Sequence, residues 1–136
     1  MKVEHLMVGD WVKYTPTGRL IRIAGLIKHS VGFNTIYAYT GTYNQLQSIS
    51  SAYIEPISLT EELLLKNGFR KKKFKGHDVL MIFNLGISIE KVKDGWLINT
   101  AKANEDFTTE FLGIINYIHE IQHVLFVSGI EKEVIL

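Results

Sequence analysis

The chain has 136 residues, 46% of them hydrophobic and 21% charged, with a formal net charge of +1. These proportions exclude a disordered or membranous chain, and near-neutrality excludes a global drive toward nucleic acid or anionic lipid. The absence of cysteine excludes disulfides, thiolate metal sites and cysteine nucleophiles.

The start, Met1-Lys2-Val3-Glu4-His5, is charged and opens no long apolar run, so no signal peptide is expected. The longest apolar stretches, Val79–Phe83 and Val124–Val127, are far too short for a membrane span. The cytoplasm is the expected location.

Residues 1 to about 57 read as strands and turns. Asp10 to Tyr14 alternates in character and leads into the turn Thr15-Pro16-Thr17-Gly18. A second strand begins at Leu20-Ile21-Arg22-Ile23 and runs toward Lys28. Thr35 to Thr40, β-branched and aromatic, is a third, and Ala52-Tyr53-Ile54 returns to strand character. Several short strands with frequent turns predict a small, strongly bent β-barrel.

From residue 58 the pattern changes. Ser58-Leu59-Thr60-Glu61 spells a capping box, with Ser58 expected at the N-cap of a helix over Leu59–Lys66 that Asn67-Gly68 stops. Strands follow at Arg70–Phe74 and Asp78–Leu85, the latter expected to be covered on both faces. Ile87, Ile89 and Val92 continue the sheet, and Asp94-Gly95 predicts a tight turn into Trp96-Leu97-Ile98. After the polar loop Lys102–Asp106, a long helix is expected over roughly Thr108–Ser128, stopped by Gly129, with a final strand at Glu133–Leu136. The expected fold is α+β: a small β-barrel domain over 1–57, then a helix–antiparallel sheet–long helix domain over 58–136.

His119-Glu120-Ile121-Gln122-His123 matches the H-E-x-x-H pattern of zinc hydrolases. On a helix two imidazoles four apart share a face, and Glu120 could activate a water. A catalytic zinc takes three protein ligands, and the third is missing. Gly129 stands where the metzincins carry a histidine. Glu131 and Glu133 lie beyond the helix stop, and His77, Asp78 or Asp106 would reverse the usual ligand order. The competing expectation is structural: two half-exposed imidazoles and a solvated Glu120 on a helix flank, opposite the apolar stripe of Phe111, Ile114, Ile115, Ile118, Ile121 and Leu125.

Arg70, Lys71, Lys72, Lys73 and Lys75 form a cationic run flanked by Phe69 and Phe74. It is a candidate nucleic-acid contact, or else an edge strand whose cations blunt unwanted pairing. Trp11, Tyr37, Tyr39, Tyr43 and Tyr53 enrich the first part in aromatics, and Tyr37 and Tyr39 should share one face, more often the inside. His5, His29 and His77 show no local partner, and no phosphate-binding glycine loop or nucleophile elbow is present.

Four segments carry a resemblance: Val8-Gly9-Asp10-Trp11-Val12, Ile54-Glu55-Pro56-Ile57-Ser58-Leu59-Thr60-Glu61-Glu62, Lys66-Asn67-Gly68-Phe69, and Tyr117 through His123. Together they resemble a family of small proteins from Bacteroidales (Bacteroides and its relatives) and from their phages or integrated elements. That resemblance implies no activity and transfers no catalytic residue. Separately, Gly9-Asp10-Trp11-Val12 resembles the start of Src homology 3-type small barrels. The expectation is therefore a cytoplasmic binding or accessory protein of bacterial mobile-element or phage origin, non-catalytic and without cofactor, whose partner is a protein or a nucleic acid. The alternatives are a small zinc-dependent hydrolase using His119, His123 and Glu120, and a nucleic-acid binder using Arg70 to Lys75.

Overall fold

In the computed structural model, which describes residues 3–39, 45–74, 76–82, 86–101 and 109–136, the alternating segments become antiparallel strands. In the first part these are β1 (Trp11–Tyr14), β2 (Arg19–Ile27), β3 (Thr35–Tyr39), β4 (Leu46–Ser50) and β5 (Ile54–Glu55). Then come α1 (Glu61–Lys66), β6 (Arg70–Phe74), β7 (His77–Ile82), β8 (Ile87–Val92), β9 (Gly95–Ala101), β10 (Thr109–Ile115) and α2 (Ile118–Val127). The architecture is α+β, mostly two antiparallel sheets ordered β4-β3-β2-β1-β5 and β10-β9-β8-β7-β6. Among the described residues no helix is long and apolar enough to cross a membrane. Two compact units result: Met1–Ser58 with Tyr117–Gln122, and Leu59–Asn116 with His123–Leu136.

In the first unit, β2 is the long strand that serves two neighbours. Arg19–Arg22 pair with β1, while Ile23–Ile27 pair with β3 across a register shift between Ile23 and Gly25. The extra residue, Ala24, sharpens the local twist as a bulge does. Leu6, Val12, Ile21, Ile23, Ile36, Ala38, Ile49 and Ile54 form the core, with Tyr14 and Leu26 packed against it. Each fully buried aliphatic side chain there contributes roughly 1.5–3 kcal/mol. The closed barrel expected from the strand spacing is instead an open sheet. The reason is local: after the 3-10 turn Ser51–Tyr53, β5 adds only Ile54 and Glu55, paired with Tyr14 and Lys13. No strand lies beside the outer edge of β4 among the described residues.

The second unit meanders from β6 to β10, with β8 at its centre. Thr60, not Ser58, caps α1: its hydroxyl accepts from the Leu63 N–H at 3.2 Å, while Ser58 forms a bridge to Tyr117 within the first unit. Only Ser58, with Glu61, begins a capping box, and the backbone pairing of Ser58 moves the cap two residues on. The β8–β9 turn is Lys93-Asp94, with Val92 opposite Gly95, one residue earlier than the expected Asp94-Gly95.

Two longer-range expectations change. Thr109–Ile115 is strand β10, paired with β9, so the helix begins only at Ile118. Its β-branched and apolar residues satisfy a helical stripe and a strand equally, and the available ladder with β9 decides between them. Glu133–Leu136 is not a strand. The Asn67 carboxamide holds this segment instead, donating to Ile135 O at 2.8 Å and accepting from Ile135 N at 2.7 Å. Asn67 also donates to Leu63 O at 2.8 Å, closing the end of α1. Buried Trp96 donates its indole N–H to Leu59 O at 3.1 Å. Tyr43, Lys75, Phe83, Leu85 and the loop Lys102–Asp106, on which several expectations fell, lie outside the described residues.

Two substitutions test this account by urea unfolding. A Cβ on Gly95 would meet Asn116 Oδ1 at 2.5 Å and Ile115 O at 2.9 Å, and φ is +149°. Gly95→Ala should therefore cost about 2–4 kcal/mol. Asn67→Ala leaves the Ile135 peptide groups and Leu63 O without their part-buried partner and should cost about 1–3 kcal/mol.

Candidate functional site

The turn into β1 builds the ground on which the start of α2 rests. Met7–Asp10 closes a turn in which Asp10 N donates to Met7 O at 3.2 Å and the Asp10 carboxylate accepts from Met7 N at 2.7 Å. Gly9, at φ +99°, donates to Ile23 O at 2.7 Å. The Gly9 carbonyl then faces outward from the ladder and accepts from Arg22 Nε at 3.0 Å and Gln122 Nε2 at 3.1 Å. Gln122 Oε1 completes the clamp by accepting from Trp11 N at 3.0 Å. One side-chain amide thus replaces a strand residue against the Gly9–Trp11 backbone.

The zinc-like motif begins two residues after the Ser58–Tyr117 bridge, and between them Ile118 N donates to Ile57 O at 2.9 Å. Glu120 folds back to accept from Tyr117 N at 3.0 Å, the reach-back half of a capping box. It is a helix cap rather than the solvated acid expected. His119 is not half-exposed: it is 4% exposed, its ring stacked on Tyr117 with centroids 5.7 Å apart and planes 8° apart. A helix starting at Ile118 turns its first residues inward, which a wheel drawn from Thr108 could not reveal. His119 and Glu120 count with the first unit and half-buried His123 with the second. Among the described residues, no group of three or more His, Asp or Glu side chains gathers to hold a metal ion.

The cationic run lies on β6, the edge strand of the second sheet, and Arg70, Lys71, Lys72 and Lys73 are all exposed. Strand alternation divides them, with Arg70 and Lys72 on one face and Lys71 and Lys73 on the other. Lys71 pairs with Glu61 at the start of α1, and this hydrogen-bonded carboxylate holds the lysine pKa above its ordinary value. Both residues line a cleft of about 120 Å³ with Asp78 and Lys91 on its rim and Leu80, Ile89 and Trp96 in its floor. Lys91 stands 4.8 Å from the Trp96 ring centroid. The cleft is well below the several hundred Å³ of a typical small-molecule site, and its charges balance.

The aromatic face is the feature that sequence reasoning located without orienting. Ile36 and Ala38 point into the first core, so Tyr37 and Tyr39 point out rather than inside. Tyr37 is half-buried against Gly25, while Tyr39 and its cross-strand partner Leu46 are each 52% exposed. The available signal was that aliphatics outcompete tyrosines for an interior face, because a buried hydroxyl needs a partner. Two histidines expected to be isolated have partners: His29 Nε2 lies 2.9 Å from Thr35 Oγ1, and His77 Nδ1 lies 3.4 Å from Glu90. Comparison with protein families, with curated proteins and with solved structures found no match.

The Glu61–Lys71 pair is testable by NMR titration. Glu61→Gln removes the negative charge and leaves only a neutral amide oxygen as acceptor, so the Lys71 midpoint should fall toward that of an ordinary lysine. An unchanged midpoint would mean that the pair does not form in solution.

Proposed function

We propose that this chain is a non-catalytic binding or accessory protein of the cytoplasm, of bacterial mobile-element or phage origin. The observation that carries the non-catalytic reading is the employment of His119, Glu120 and Gln122 in the fold itself. Glu120 caps α2, Gln122 clamps Gly9 and Trp11, and His119 is buried against Tyr117. A general base has to reach a metal-bound water, and a carboxylate that closes its own helix start is held elsewhere.

We further infer that the first unit is an open variant of a Src homology 3-type small barrel. Support comes from the order β4-β3-β2-β1-β5, the corner in β2, and the single 3-10 turn between β4 and β5. Its outward face, with Ile27, Tyr37, Tyr39 and Leu46, favours a protein partner. Nucleic acid is the less favoured partner, because the β6 cations divide between two faces and Lys71 is held by Glu61.

Tag-free protein distinguishes this reading from the zinc hydrolase. Added zinc should leave the unfolding midpoint unchanged, and Glu120→Ala should cost about 1 kcal/mol through loss of the cap. A stoichiometric zinc content that disappears in His119→Ala, with hydrolysis that disappears in Glu120→Gln, would establish the enzyme instead.

A further inference from the structure

We propose that the outer edge of β4 pairs antiparallel with β4 of a second copy, forming a two-fold dimer centred on Ser48. The first argument is backbone geometry. Ser51 N donates to Asn34 O at 2.8 Å, which sets the alternation of the β3–β4 ladder. Ile49 and Gln47 therefore direct their peptide groups at β3, whereas Leu46, Ser48 and Ser50 direct theirs away from the sheet. An edge of this kind is a template for another strand.

The second argument is charge, and it selects the occupant. The far edge of the second sheet, β6, carries Arg70-Lys71-Lys72-Lys73, so self-pairing there would oppose like charges. β4 is Leu46-Gln47-Ser48-Ile49-Ser50, without a charge and without proline. Paired with itself about Ser48, it places serine against serine at the axis and Leu46 against Ser50 on either side. No repulsion arises, and an isologous contact closes after two copies.

Exposed apolar side chains flank both ends of the strand. At one end stand Tyr39 and Leu46; at the other, Ile27 and Thr35 continue the row through Ser50, and the adjoining loop presents Val31 and Phe33, 87% and 70% exposed. An antiparallel two-fold brings the first end of one copy alongside the second end of the other. A foreign extended peptide would complete the edge but would not need this end-to-end match.

The proposal rests on reading the first sheet as a binding surface and assigns that surface a partner. Sedimentation equilibrium across a concentration series should give the dimer mass for the wild type. Ser48→Pro removes only an outward N–H and should leave a folded monomer. Ser48→Lys and Ser48→Glu should each be monomeric alone, through like charges meeting at the axis, and should form a heterodimer when mixed. A wild type that stays monomeric throughout, or a dimer that survives both Ser48→Pro and Ser48→Lys, overturns the proposal. Neither result bears on the zinc experiment, so failure of the dimer and failure of the non-catalytic reading are separable.

Discussion

Peptide groups that leave a hydrogen-bonded ladder must find partners elsewhere, and in each unit a side-chain amide supplies both a donor and an acceptor. Gln122 gives a donor to Gly9 O and an acceptor to Trp11 N. Asn67 does the same for both peptide groups of Ile135. A carboxamide suits this task because it carries the donor and acceptor of a peptide bond in the same plane. Glycine prepares the first clamp: the Gly9 turn, at φ +99°, exposes the carbonyl that Arg22 and Gln122 share. The second clamp doubles as a helix stop, since Asn67 also binds Leu63 O.

The same requirement governs the H-E-x-x-H stretch at the start of α2. A helix that begins one residue after a β-bridge has orphan donors at its start, and an acidic residue close by is a favourable acceptor for them. Glu120 fills that role for Tyr117 N, and Gln122 lies on the side that meets the Gly9–Trp11 backbone. A histidine at the first turn is then carried inward, where stacking on Tyr117 accommodates it. His119, Glu120 and Gln122 thus each have an architectural use.

The two sheets treat their edges differently. Four consecutive cations mark β6, whereas β4 shows only serine, glutamine and aliphatics. Edge strands are usually protected by charge, proline, bulges or brevity. β5 is protected by brevity, with two residues, and β6 by charge. An unprotected edge beside an outward tyrosine face is where association is least opposed.

Sequence alone determined the elements whose signals are local. The Thr15–Gly18 turn, strands β1 to β3, the edge strand of lysines and the stop at Asn67-Gly68 follow from alternation, turn chemistry and left-handed glycine. Local signals failed where a second arrangement was open to the same residues. Ser58 and Thr60 could each cap α1, and backbone pairing at Ser58 decided for Thr60. Thr109–Ile115 could be helix or strand, and the exposed ladder of β9 decided for strand. Where His119 points and whether the first sheet closes depend on neighbours distant along the chain. Only tertiary structure decides such questions, because burial and backbone satisfaction are properties of the assembled surfaces and not of any one segment.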